Sequence, residues 1–162
     1  MTYHLRRKDL EITDERVLKK ILRSTKYVTL ALSIDNQPYL VSLSHGYDEN
    51  RNCIYFHCAT EGKKLDYLKT NNVVWGQALL DYGYSEGECD HRYASVHFSG
   101  KVTFIDKLNE KRLAMKCMIR HLDKNPEALI SRLLDSEELK STIVGRVDID
   151  YMSGKKSEKV DI

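Results

Sequence analysis

The sequence predicts a mainly β protein, a small closed antiparallel barrel of about six strands with three or four helices inserted. Alternating apolar and polar residues recur in short runs separated by polar turns, which is the pattern of half-buried strands joined as hairpins. Three such runs follow one another between residues 27 and 59 with no helix between them, unlike the βαβ rhythm of a parallel sheet. The chain has 162 residues, 41% of them hydrophobic and 31% charged, enough for one domain with a real core.

Residues 13–26 read as a helix. Thr13 can cap it, Asp14 and Glu15 suit the first turn, and Val17, Leu18, Ile21 and Leu22 form one apolar stripe. In residues 27–34, Val28, Leu30, Leu32 and Ile34 share a face, and Asp35-Asn36-Gln37-Pro38 makes a turn. Residues 39–47 form a second strand with Tyr39, Val41, Leu43 and His45 on one side, and residues 53–59 a third. A helix runs from Glu61 to Thr70, with Thr60 in the N-cap position, followed by a strand over 73–80 that contains Trp75. Residues 81–92 read as a long polar loop with two glycines, the candidate to close a site.

Residues 93–105 form a long strand with Ala94, Val96, Phe98, Val102 and Phe104 on one side, and Ser99-Gly100 marks a bulge or bend within it. Residues 107–122 are helical, with Leu108, Leu113, Cys117 and Met118 toward the core. Asn125-Pro126-Glu127 opens another helix that runs to about Leu134, and a last strand covers 142–151. One domain over 1–162 is expected, with an N-terminal arm (1–12) and a C-terminal tail (153–162) that becomes disordered toward its end.

The net charge of +2 gives no overall field toward nucleic acid or an acidic membrane. The start, Met-Thr-Tyr-His-Leu-Arg-Arg-Lys, lacks the apolar region of a signal peptide, and no apolar run is long enough to cross a bilayer. None of the four cysteines forms a C-x-x-C pair, and Cys53 and Cys58 fall on opposite faces of one strand. A cytoplasmic protein with reduced thiols is expected.

The most informative stretch is 53–65, Cys-Ile-Tyr-Phe-His-Cys-Ala-Thr-Glu-Gly-Lys-Lys-Leu. A strand ends in His57 and Cys58, and Thr60, Gly62, Lys63 and Lys64 stand at the start of a helix. Helix N-terminal amides attract anions, whereas two lysines there gain nothing from the helix dipole. An anion such as phosphate between the lysines and the helix accounts for the pattern; two solvated lysines at an ordinary junction is the other reading. No Walker or G-x-G-x-x-G pattern is present, nor a G-x-S-x-G elbow. Cys89, His91 and His97 lack zinc-site spacing and a fourth ligand, so no metal site is expected.

In order and spacing, these segments resemble the FMN-binding split-barrel family related to pyridoxamine 5′-phosphate oxidase, and within it the nitroimidazole-resistance (5-nitroimidazole reductase-like) branch. The matching residues include Arg6-Arg7-Lys8-Asp9, Gln37-Pro38-Tyr39, Gly46-Tyr47-Asp48, Ile54-Tyr55-Phe56-His57 and Glu61-Gly62-Lys63-Lys64-Leu65. Asn71 to Val74, Tyr93-x-Ser95-Val96 with Gly100, and Ser153-Gly154-Lys155 complete them.

The resemblance implies a six-stranded Greek-key split barrel that forms a homodimer, with FMN at the subunit interface. It implies that Val41, Ser42, Leu43 and Ser44 lie along the isoalloxazine ring and that His57 and Cys58 adjoin the ribityl and ring region. Gly62, Lys63 and Lys64 would bind the phosphate, Ser95 would face the cofactor and Tyr93 would flank it. His57 would be catalytic, hydrogen-bonding a substrate or donating a proton. The Arg-x-Val-Leu-Leu-Lys type strand of the oxidase proper is replaced here by Val41-Ser42-Leu43-Ser44, so vitamin B6 oxidation is not implied. The expected activity is reduction of a small electron-poor acceptor, such as a nitroaromatic, by a small-molecule donor. A non-catalytic flavin module, or a barrel holding another cofactor such as haem or a deazaflavin, are the alternatives; for haem, His45, His57, His91 or His97 would ligate the iron.

Overall fold

The computed structural model describes residues 5–134 and 136–162, so the first four residues of the expected arm lie outside it. After a 3₁₀ turn (Lys8–Leu10), helix α1 (Glu15–Ser24) leads into strands β1 (Tyr27–Ile34), β2 (Gln37–Ser44), β3 (Gly46–Asp48) and β4 (Cys53–Cys58). Helix α2 (Lys63–Thr70) and strands β5 (Val73–Ser85) and β6 (Asp90–Phe104) follow. Helices α3 (Leu108–Leu122), α4 (Pro126–Leu133) and α5 (Glu137–Ser141) precede the final strand β7 (Ile143–Lys156).

All seven strands form one antiparallel sheet in the order β2-β1-β5-β6-β7-β4-β3. The sheet curls until β2 touches β4, yet no ladder joins those two strands. The result is a split barrel with one open seam. There are seven strands instead of about six because the expected strand over 39–47 breaks at His45. Its amide turns to the Lys26 carbonyl and its side chain is fully buried, and β3 starts afresh at Gly46. Among the described residues, no helix is long and apolar enough to cross a membrane.

The β1–β2 hairpin follows the alternation. Asp35 and Asn36 both have positive φ (46° and 62°), the geometry of a two-residue turn whose twist matches its strands. The register then sets Val28 against Leu43, Leu30 against Val41 and Leu32 against Tyr39, all facing inward. The barrel core includes the fully buried Phe56, Phe98, Ile21, Leu22 and Leu30. A second cluster lies outside the barrel wall, where α3 covers β4, and holds Cys53, Tyr55, Ile105, Ala114, Met118 and Val144. As expected, Cys53 and Cys58 face opposite ways, and all four cysteines are free thiols.

Several expectations are corrected. Asp14, not Thr13, caps α1, accepting from the Arg16 amide at 2.9 Å. Residues 81–92 are not a loop: β5 and β6 continue as a hairpin with Tyr84 opposite His91 and Ser85 opposite Asp90, after a register shift between Asp81 and Tyr84. Strand pairing satisfies the backbone of these polar residues, whichever way their side chains point. The expected irregularity at Ser99-Gly100 is present as a register shift against β7.

Strand β7 runs five residues beyond its expected end, so Ser153, Gly154 and Lys155 pair with His97, Val96 and Ser95. The tail beyond it is packed: the Ser157 amide donates to the Tyr93 carbonyl at 2.9 Å, and Val160 is buried. Leu113 faces solvent. Helix α3 instead buries Lys111, whose ammonium donates to the carbonyls of Lys140 (3.0 Å) and Thr142 (2.8 Å).

Gly46 is where β3 meets α3 most tightly. A Cβ there would stand 2.7 Å from both the Cα and the backbone N of Met118, so the helix backbone itself would have to move. Gly46→Ala is expected to destabilise the fold by about 1–3 kcal/mol, the usual range for overpacking, read as a lower urea midpoint.

Candidate functional site

Strand β4 ends at Cys58, and four residues later the chain enters α2. Gly62 is its N-cap, with φ 131° and ψ 162°, and no side chain caps the helix. Thr60 therefore does not cap it, contrary to expectation. Few residues other than glycine adopt that φ, and a Cβ at Gly62 would meet nothing within 4 Å, so bare backbone faces open space here. The amides of Leu65 and Asp66 both donate back to the Gly62 carbonyl (2.8 and 3.3 Å). Those of Lys63 and Lys64 come before the first intrahelical bond and are left for another acceptor.

This helix start forms one wall of a pocket of about 210 Å³ at the barrel seam. Tyr39 and Val41 of β2 face Cys58 and Ala59 at the end of β4, and Glu61 to Leu65 complete it. Lys63 Nζ stands 4.7 Å from the Tyr39 ring centroid and 5.5 Å from that of Tyr67, and the two rings lie 5.3 Å apart. Lys19, Lys140 and Lys159 each pair with a carboxylate, whereas neither Lys63 nor Lys64 has one among the described residues. Burial pushes the Cys58 thiol up, and the Lys64 charge pulls it partly back down. Two unneutralised ammonium groups, a helix N-terminus and exposed glycine backbone converge on one small volume. Chemically, this arrangement suits a phosphate.

The structure thus brings together Val41, Cys58, Gly62, Lys63 and Lys64. Leu43 lies on the same face of β2 but is buried in the core. Ser42 and Ser44 point the other way, onto the outer face of the sheet, where the Ser42 and Thr29 hydroxyls are 2.9 Å apart. Tyr93 and Ser95 lie on that outer side of β6. Lys155 Nζ sits 5.4 Å from the Tyr93 ring, and the Ser95 hydroxyl is buried without a partner.

His57 is not part of the pocket within one subunit. Adjacent strand residues point to opposite faces, so Cys58 faces the seam while His57 lies on the side covered by α3, α4 and α5. The other described histidines have separate surroundings. His45 is buried against His121, His91 bonds Asp81 at 2.8 Å, and His97 bonds Gln77 at 2.9 Å.

Sequence reasoning missed the aromatic pair that holds Lys63. Its signals are the spacing of Lys63 and Tyr67, four apart on one helix face, and Tyr39 directly after Gln37-Pro38.

The sequence profile of pyridoxamine 5′-phosphate oxidase matches residues 14–156, nearly the whole chain. The chain belongs to the pyridoxamine 5′-phosphate oxidase family. The match runs from the cap of α1 to the end of β7 and includes the seam pocket. Among solved structures, this family member is similar to a candidate 5-nitroimidazole antibiotic resistance protein from Bacteroides thetaiotaomicron, with 25% identity, a TM-score of 0.76 and 95% of each chain covered. It shares its fold with the flavocytochrome Anf3 from Azotobacter vinelandii (19% identity, TM-score 0.80, covering 99% of this chain and 76% of that one). It also shares it with an FAD- and haem-binding protein from Mycobacterium smegmatis (20% identity, TM-score 0.76, 94% and 76%). None of the curated proteins matches this oxidase-family chain.

Proposed function

We propose that this chain is an FMN-dependent oxidoreductase that works as a homodimer in the cytoplasm and reduces a small electron-poor molecule such as a nitroaromatic. The observation that carries the reading is the seam pocket, with its two unneutralised lysines over a glycine-capped helix N-terminus. Family membership and the likeness to the candidate nitroimidazole-resistance protein support it. Lys63 and Lys64 would neutralise the terminal phosphate, and Gly62 would let it approach the α2 amides. Val41 and Tyr39 would wall one side, with Cys58 and Ala59 on the other. Bound flavin supplies the electron chemistry; the protein supplies binding, orientation and electrostatics. A role for His57 toward the acceptor requires the acceptor to approach from the helix-covered side of β4.

The outer sheet face supports the dimer. One row across five strands is uncharged, Ser42-Thr29-Gln77-His97-Ser153. On either side of it stand the exposed Leu40 and Trp75, and Tyr27 and Leu79. Four large exposed apolar side chains flanking an uncharged row suit a face that packs against a second subunit. Trp75→Asp combined with Leu79→Asp is expected to turn a dimer into a monomer in sedimentation and to release the flavin. A variant that stays dimeric and flavin-loaded would place the interface elsewhere.

The direct test is mass spectrometry of the small molecule that heat releases from the native protein. It is coupled to NADH or NADPH consumption with a nitroaromatic acceptor. FMN with turnover is expected. FMN without turnover leaves a flavin-binding module, and failure to bind added FMN overturns the proposal.

A further inference from the structure

Tyr67 stands four residues after Lys63 on α2, and Tyr39 meets it from β2. Both rings are half-buried and pack against the barrel core. Their centroids lie 5.3 Å apart with the planes tilted by 54°. The Lys63 ammonium stands near both, 4.7 Å from the Tyr39 centroid and 5.5 Å from that of Tyr67. The lining of the seam pocket includes Lys63 and Tyr39 but not Tyr67. Lys63 needs such a hold. The dipole at the start of a helix disfavours a cation there, and fixing an exposed lysine costs rotamer freedom. Glu61 and Asp66 are close along the chain, and neither is ion-paired with Lys63 among the described residues.

We propose that Tyr67 is a positioning residue of the anion site, a role that rests on the phosphate reading of the seam pocket. With Tyr39 it fixes the Lys63 ammonium at the pocket while leaving its charge intact, so the pocket prefers a phosphorylated ligand to the same ligand without its phosphate. A carboxylate can also orient a lysine, as at Lys19, Lys140 and Lys159. It would, however, neutralise the charge and compete with an incoming anion. The face of an aromatic ring attracts a cation through its quadrupole and carries no net charge. Held in this way, Lys63 is ordered before the ligand arrives, and binding does not have to supply that order. Lys64 has no ring partner among the described residues and acts on the Cys58 side of the pocket. The two lysines thus differ: one is held in place, the other adjusts to the ligand.

Full-length protein is titrated with FMN and with riboflavin by flavin fluorescence. It is also titrated with FMN and with inorganic phosphate by NMR of ¹³C-labelled lysine, in which Lys63 is assigned by its loss in Lys63→Ala. Before ligand is added, the Lys63 ε-methylene protons are expected upfield, shifted by the ring currents of the two tyrosines. Tyr67→Leu should move them towards an ordinary lysine position and weaken FMN binding roughly two- to tenfold. Riboflavin affinity should stay within about twofold of the parent, because Tyr67 acts through Lys63 and not on the ring system. Tyr67→Phe, which keeps the ring face, should behave as the parent, and Tyr67→Met takes the place of Tyr67→Leu should that variant fail to fold. In a Lys63→Ala background, Tyr67→Leu should change FMN affinity less than about twofold. An unshifted Lys63 signal in the parent, an equal loss for FMN and riboflavin in Tyr67→Leu, or the same loss of FMN with Lys63 already removed would overturn the proposal. If FMN fails to bind but inorganic phosphate moves the Lys63 signal saturably, and more weakly in Tyr67→Leu, the flavin reading falls and the role of Tyr67 stands. A Lys63 signal that neither FMN nor phosphate moves would remove both.

Discussion

Replacing both Lys63 and Lys64 by alanine is expected to weaken FMN binding by roughly 10²–10⁴-fold in a fluorescence titration. Each ammonium would make a charge-assisted hydrogen bond worth about 1.5–3 kcal/mol, and about 1.4 kcal/mol is tenfold in affinity. Glu61 lines the same pocket, but neither lysine is ion-paired with a carboxylate among the described residues, so their charge is available to a ligand. The two differ in mechanism. Lys63 is held over the Tyr39 and Tyr67 rings, so Lys63→Ala also removes the cation between those rings and lets the wall repack. Lys64 is the charge felt by Cys58, and Lys64→Ala should raise the thiol pKa further, measurable by alkylation rate against pH. Lys63→Arg should retain most of the affinity because the charge stays over the aromatic pair. A double alanine variant that binds FMN as tightly as the parent would remove the phosphate assignment.

Acidification from pH 7 to pH 4 is expected to cost the fold about 3 kcal/mol at His45 alone. This ring is fully buried, with Nε2 donating to the Leu22 carbonyl at 3.1 Å and Nδ1 without a partner. The His121 ring lies 4.6 Å away, anchored to the Thr25 carbonyl at 2.6 Å. Burial first, and the neighbouring His121 second, push His45 down to about 4. In the unfolded chain histidine titrates near 6.5. As pH falls through the interval between these values, the unfolded chain takes up the proton before the folded one. Stability is therefore complete above about 6.5 and lost progressively down to about 4. Urea unfolding at pH 7.5 and 4.5 measures this directly. His45→Leu should be less stable at neutral pH, for want of the bond to Leu22, but show a much flatter dependence across that window. An unchanged slope would place the acid sensitivity elsewhere.

What was legible in the sequence was whatever one-sided burial enforces. The β1–β2 hairpin, with Val28, Leu30 and Leu32 inward and Asp35-Asn36 at the turn, follows from period-two alternation and turn chemistry. The kink at Ser99-Gly100 was equally visible, because a Cβ at Gly100 would stand 2.2 Å from the Asp148 carbonyl oxygen and only glycine fits. The tip of the β5–β6 hairpin was hidden because most of its side chains are exposed, which erases the alternation while the backbone pairing persists. Leu113 misled because α3 buries the stem of Lys111 and hands its ammonium to two carbonyls. Gly62, Lys63 and Lys64 were singled out by their place at a helix start after a strand, and the structure brings them to one pocket. The separation of His57 from Cys58 onto two different surfaces emerges only once α3 to α5 are seen to cover one side of the sheet.

The missing ladder between β2 and β4 has a further consequence. Along that line the barrel is held by side chains alone, so it is the natural place for the wall to breathe. Amide deuterium uptake should begin on the free edge of β2 sooner than on β6, which is hydrogen-bonded on both flanks. A ligand wedged between Tyr39, Val41 and Cys58 would act as the absent stitch, slowing uptake there and raising the melting temperature in proportion to its occupancy.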